Sequence, residues 1–227
     1  MNNWATAMKK YILPFFLFVL LLFSCETDNY EKGQGKYSLM LADIGEVTVN
    51  GDKQATAFTT DDGDSYTLTY PASVQWMQTA DTTYRAVIYY NKVESGQAEL
   101  VGFSSVPTMQ PVEYWRFKNP AQDPVGFESA WLAKNKKYIN LGLLFKSGYV
   151  DDAIGHHVIS VAQDTILVHA DQTRTAYYRF LHGQNEIPEY FTNRHYVSIL
   201  LPQELPDTVS LSIVTYTGTI ERHFALK

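Results

Sequence analysis

Tyr84-Arg85-Ala86-Val87-Ile88-Tyr89-Tyr90 and Ala98-Glu99-Leu100-Val101-Gly102-Phe103, joined across Glu94-Ser95-Gly96-Gln97, decide the fold. Both runs are rich in β-branched and aromatic residues, which suit a pleated, half-buried surface, and the polar Gly-containing segment between them is the composition of a hairpin loop. Working back from this hairpin, Tyr37 to Ile44 and Glu46 to Val49 read as one long strand, with Gly45 at a bend or bulge. Asn50-Gly51 closes it as a turn, and Thr56 to Thr60 and Ser65 to Tyr70 flank Asp61-Asp62-Gly63-Asp64 as a second hairpin. Five strands in so short a stretch predict a small OB-like barrel over residues 37–110.

Working forward, Pro107, Pro111, Pro120 and Pro124 break the pattern, and residues 111–125 read as a Pro-rich linker. Alternation then resumes. Ile139, Leu141, Leu143 and Phe145 share one strand face, as do Val209, Leu211 and Ile213. His157 to Gln163, Thr165 to His169, Thr175 to His182, His195 to Leu201 and Glu221 to Leu226 complete the strands of a β-sandwich over residues 126–227. Phe127 to Ala133 has competing helical spacing, but a hairpin through Lys134-Asn135-Lys136 into Tyr138 to Leu141 gives it a strand partner. The fold class is therefore all-β. Each part is too small to bury much surface alone, which predicts an apolar interface between the two.

Composition agrees. The 227 residues include 16 Tyr and 12 Phe, carry 18 basic against 24 acidic side chains, and hold one cysteine, which excludes a disulfide scaffold. That cysteine has a particular place. Lys9 and Lys10 precede the apolar run Tyr11 to Phe23, which is too short to span a bilayer and carries Pro14. It reads as a secretory signal, residues 1–24. Leu22-Phe23-Ser24-Cys25 resembles a bacterial lipobox, which makes Cys25 the lipid attachment site and residues 25–36, polar and Gly-containing, a flexible tether. Loss of Lys9 and Lys10 with the leader takes the formal charge from −6 to −8, which disfavours nucleic acid as a partner.

No catalytic, cofactor or metal motif stands out. His156 and His157 are neighbours on opposite faces and read as a loop-edge pair, while His169, His182, His195 and His223 fall on separate strands. Asp61-Asp62-Gly63-Asp64 lacks the spaced carboxylates of a calcium loop and reads as a turn. Glu186 and Glu189 bracket Pro188, a pair a glycosidase could use only if the two carboxyls faced each other across a cleft. OB folds bind oligosaccharides on the face of strands 2 and 3, so Tyr66, Tyr70, Trp76, Tyr89 and Trp115 are candidates for a stacking surface. The competing reading places most of these rings in the core, where aromatic residues dominate burial.

The lipobox, the Asp61-Asp62-Gly63 turn, Arg85 to Tyr90, Ala130-Trp131-Leu132, Lys137 to Leu141, His157 to Val161 and Phe180-Leu181-His182 follow one another in an order that resembles the NigD-like lipoproteins of Bacteroidales. The resemblance implies an N-terminal OB-type domain, a C-terminal β-sandwich, no catalytic residue and no cofactor, and an immunity role proposed for the namesake. The expectation is a non-catalytic envelope lipoprotein, held in the outer membrane through Cys25, that binds a protein in an immunity-like role. The alternative is glycan capture by stacking on Tyr66, Trp76, Tyr89 and Trp115.

Overall fold

β1 (Leu41–Val49) pairs along its whole length with β4 (Thr82–Lys92) and along its second half with β2 (Ala55–Thr60), and this double pairing closes a barrel. β3 (Ser65–Ala72) follows β2, and β5 (Gln97–Ser105) lies between β3 and β4, giving the order β1-β2-β3-β5-β4. Among the described residues of the barrel, only the β3–β5 pairing is parallel. The computed structural model describes residues 39–93, 96–151 and 153–227. The leader, Cys25 and the tether through Lys36 lie outside the described residues.

Val47, Val49, Phe58, Leu68, Ala86, Ile88, Tyr90 and Ala98 fill the barrel. The residues alternating with them on β1 and β4, Ala42, Ile44, Glu46, Arg85, Val87 and Tyr89, therefore project from its outer face. Gly45 is not a bend. β1 runs straight through it, its register shift falls at Thr48/Val49, and a Cβ at Gly45 would collide with the Thr59 carbonyl oxygen of β2. The glycine answers a close strand approach where the barrel closes.

β6 (Thr108–Met109) adds in parallel to β14 (Phe191–Leu200) and β7 (Val112–Glu113) in parallel to β12 (Val158–Val168), so the proline-containing segment is stitched into both sheets of the second half. A short 3-10 turn, Tyr114–Arg116, follows. β8 (Gly126–Leu132) is the strand expected from its hairpin partner, β9 (Tyr138–Ser147). A small hairpin, β10 (Tyr149–Val150) and β11 (Ala153–Ile154), leads to β12 (Val158–Val168), β13 (Arg174–Gly183), β14 (Phe191–Leu200), β15 (Thr208–Thr215) and β16 (Gly218–Ala225). Two sheets result, β16-β15-β13-β12-β7 and β6-β14-β9-β8. They enclose one core in which Ile139, Leu141, Leu143, Phe145, Val197 and Ile199 meet Val161, Tyr178, Phe180, Val209, Leu211 and Ile213. Burial pushes the Tyr178 phenol up to about 12. The two strands expected over 157–169 are one. A bulge between Gln163 and Thr165 absorbs Asp164, whose carboxylate pairs with Arg179 at 2.9 Å, and the strand continues.

Residues 40–227 form one compact unit containing both barrel and sandwich. Their contact is not the apolar seam expected from size alone. It is built around buried charge.

Candidate functional site

β9 is buried on both faces. Its odd-numbered residues enter the sandwich core, which leaves Tyr138, Asn140 and Gly142 facing the barrel, with Tyr196 and Ser198 beside them on β14 and Trp131 on β8. On the opposing wall stand the outward residues of β1 and β4. Arg85 reaches across and is held on every side. Its guanidinium donates to both oxygens of Asp61, at 2.6 and 2.5 Å, to Asn140 Oδ1 at 3.0 Å and to Ser198 Oγ at 3.1 Å, and it lies 3.8 Å above the Tyr138 ring. Asn140 Nδ2 donates to Asp61 at 2.7 Å, and Ser198 donates to Asn140 at 2.7 Å. Asn140 and Ser198 have no exposed surface. A buried ion pair persists only when its remaining hydrogen-bonding capacity is also met, and here it is met from both halves of the molecule.

Flanking contacts extend this junction. Tyr138 Oη and Lys137 Nζ donate to the two oxygens of Glu46, at 2.7 and 3.0 Å, and Lys134 Nζ pairs with Asp62 at 2.6 Å. Burial raises the affinity of Glu46 for its proton, but the bonds from Tyr138 and Lys137 outweigh it and hold the carboxyl below its ordinary value. Burial first, and then the Glu46 carboxylate, push the Tyr138 phenol above its usual range.

Beyond the Arg85 junction the walls separate into a wedge. A cleft of about 310 Å³ is lined by Ala42, Ile44, Val87 and Tyr89 of the barrel, Trp131 and Tyr196 of the sheet, and Asp43, Asp61 and Asp62 at its edge. An adjoining cleft of about 250 Å³ shares Val87, Tyr89 and Tyr196 and adds Ser104, Ser105, Arg194 and His195. Trp131 and Tyr196 meet edge to face, centroids 6.1 Å apart and planes at 80°. Gly142 makes room for them. A Cβ there would stand 2.6 Å from Ser129 Oγ and 3.5 Å from the Tyr196 ring.

The rings singled out from the sequence do not form one surface. Tyr66 lies in the barrel core against Phe58 and Tyr90, with centroids 5.2 and 5.3 Å away, so its candidacy as a binding residue is corrected. Trp76 is half-buried and packs edge-on against Tyr84. Trp115 is exposed on the 3-10 turn, with Arg116 over its ring. Tyr70 is exposed at the end of β3. Tyr89 alone of the five lines the wedge. The residues missed were Trp131, Tyr196, Asp61 and Asn140. The alternation that placed Ile139 and Leu141 in the core also puts Asn140 on the other face, a signal present in the sequence.

The histidines are less scattered than their strands suggested, because His157, His182 and His195 all contact Phe145, with centroids 5.0, 5.2 and 5.7 Å away. His182 Nδ1 is 3.1 Å from the Asp123 carbonyl, which can only accept, so that nitrogen carries the proton. His182 Nε2 then accepts from His157 Nδ1 at 3.0 Å, and His157 Nε2 accepts from Ser147 Oγ at 3.2 Å. Both rings are neutral in this arrangement. Burial lowers the proton affinity of each, helped at His157 by the neighbouring imidazoles and opposed at His182 by its bond to Asp123. His156 and His157 do lie in the loop at the edge of β12, and His157 in addition turns inward onto His182. Among the described residues no group of His, Cys, Asp or Glu side chains is arranged to hold a metal ion. Glu186 and Glu189 are both exposed, and Glu189 pairs with Lys146 at 2.6 Å.

No protein-family model matches the chain, and no curated protein matches it. Solved structures do. A NigD-like immunity protein from Bacteroides caccae superposes with a TM-score of 0.62 at 21% identity, covering 82% of this chain and 97% of that one. A candidate toxin-related protein from Parabacteroides distasonis gives 0.61 at 16% identity, covering 82% and 92%. A candidate lipoprotein from Bacteroides fragilis gives 0.57 at 15% identity, covering 82% and 99%. At these identities the likeness is one of fold, and it is the fold of the NigD-like proteins to which the ordered sequence segments pointed.

Proposed function

We propose that the chain is a non-catalytic binding protein of the cell envelope, anchored by lipid on Cys25 in the outer membrane, and that it holds its ligand in the wedge between barrel and sheet. One observation carries this reading: Tyr89 faces Trp131 and Tyr196 across a cleft whose acids already have partners. Asp61 is held by Arg85, Asp62 by Lys134, and Asp43 accepts from Tyr90 Oη at 2.9 Å. A general acid or base needs a proton site free to exchange with substrate, whereas rings on two facing walls make a recognition surface. The shared fold with a candidate lipoprotein supports the anchor.

Replacing Trp76 and Trp115 with Phe leaves Trp131 as the one tryptophan downstream of Cys25 and turns it into a reporter of the wedge. Titrating this variant with fractionated envelope material should shift Trp131 emission saturably. If every fraction leaves the emission unchanged, the wedge reading fails.

A second reading, capture of a protein in an immunity-like role, is favoured by the described character of the Bacteroides caccae structure and by one feature of this chain. The β10–β11 hairpin exposes Tyr149, Val150 and Ile154, a set of apolar side chains suited to a protein contact. Deletion of the gene should then raise sensitivity to a bacteriocin, and Tyr149→Ser with Ile154→Ser should reproduce the deletion. Unchanged sensitivity in both strains rejects it.

A further inference from the structure

We infer that the wedge takes a neutral saccharide chain, with the faces of its sugar rings against Tyr89 and Trp131. This deepens the wedge reading of the preceding section and rests on it.

Charge is the first argument. An aromatic cleft edged by aspartates would ordinarily suit a lysine or arginine side chain. Here Asp61 is committed to the Arg85 guanidinium, Asp62 to Lys134, and one oxygen of Asp43 to Tyr90. An incoming cation would meet, in Asp61 and Asp62, carboxylates whose charge is already answered, while the Asp43 side chain is turned by the alternation of β1 into the barrel, where it bonds to Tyr90. An anionic ligand fares no better, because Arg194 of the lining is paired with Glu128 at 2.6 Å and burial lowers the proton affinity of the other basic residue there, His195.

The second argument is hydrogen-bonding character. Asp62 brings a carboxylate to the edge, while Ser104, Tyr89 and Tyr196 bring hydroxyls that donate or accept. Sugar hydroxyls both donate and accept, so they match this mixture. An ammonium or guanidinium, a donor only, does not.

The third is shape. Because Trp131 and Tyr196 meet edge to face, each ring keeps at least one face clear of the other, and Trp131 keeps 36% of its surface exposed. The two clefts run on from one another through Val87, Tyr89 and Tyr196, which suits a chain of rings. Flat ring surface framed by hydroxyl-bonding groups is how a protein holds a sugar's C–H face without charge.

The test is calorimetric titration of the processed full chain with neutral hexasaccharides of glucose, mannose, galactose and xylose, and with hexalysine as the cationic probe. At least one hexasaccharide should bind, with an affinity unchanged between low and high salt. Trp131→Ala and Tyr89→Ala should each weaken it about tenfold or more, equivalent to about 1.4 kcal/mol. Circular dichroism of each variant confirms the fold, and Trp131→Phe, which keeps a flat ring, should retain most of the affinity. If no hexasaccharide binds while hexalysine does, in a manner that Trp131→Ala abolishes, the saccharide inference falls and the wedge reading stands. Saccharide binding indifferent to Trp131→Ala and Tyr89→Ala overturns both. Silence with every probe overturns the inference.

Discussion

Arg85 and Asp61 set the terms at the residue scale, because they bring opposite charges out of water at the contact between barrel and sandwich. Removing one partner strands the other, which costs about 3–5 kcal/mol at such sites, whereas replacing both with apolar residues of similar volume is often close to neutral. Asp61→Ala should therefore cost about 3–5 kcal/mol in urea unfolding, while Asp61→Leu with Arg85→Met should cost far less. Equal losses in the two proteins would mean that the cluster is not a closed network. The neutral His157–His182 pair makes a second prediction. Both rings bind protons more weakly folded than unfolded, so between the two values the unfolded chain takes up more protons, and stability falls as pH drops below about 6.5. His182→Gln, which can still donate to the Asp123 carbonyl, should flatten the loss of melting temperature between neutral and mildly acidic pH. An unaltered slope would place the acid sensitivity elsewhere. Neither device was readable from sequence. Asp61 sits in a hairpin turn that any Asp-Gly composition explains, and its partners Arg85 and Asn140 lie 24 and 79 residues away, beyond any local periodicity.

Among the elements, β9 carries most of the architecture. Its alternation was legible, and so was its place in the core. Its second face was not, because Tyr138, Asn140 and Gly142 look like an ordinary solvent side until another domain covers them. β14 repeats the pattern, with Val197 and Ile199 inward and Tyr196 and Ser198 toward the barrel. The Pro-rich segment misled for a related reason. Proline breaks long strands, yet two-residue strands such as β6 and β7 fit between Pro107, Pro111 and the turn that follows. Gly45 tests the strand packing directly. Its absent Cβ admits the Thr59 carbonyl and lies 3.0 Å from Ile88 Cδ1, so Gly45→Ala should destabilise the chain by about 1–3 kcal/mol. Gly102→Ala, which meets nothing within 4 Å, should stay within about 0.5 kcal/mol. Matching losses at the two positions would contradict the close approach of β1 and β2.

At the scale of the whole molecule, the proposed function makes barrel and sandwich two walls of one site and gives lipid on Cys25 the task of setting where that site works. Diacylation adds about 0.8 kcal/mol per buried CH₂, and two chains give an anchor that one does not. Cys25→Ser should move the protein from the membrane pellet to the soluble fraction, and mass spectrometry of the wild-type N-terminal peptide should show acylated sulfur. An unmodified thiol on a membrane-bound chain would remove the lipid anchor. The all-β class and the positions of the longer strands along the chain were visible in the sequence, whereas the wedge was not, because it exists only where two separately patterned halves meet. The most direct test of the wedge is photocrosslinking in living cells, with p-benzoylphenylalanine placed at Trp131 and, as a control, at exposed Tyr177 on β13. The benzophenone inserts into C–H bonds of sugars and proteins alike. A discrete adduct from position 131 and none from position 177 is the predicted result, and an adduct from 177 with none from 131 would contradict it.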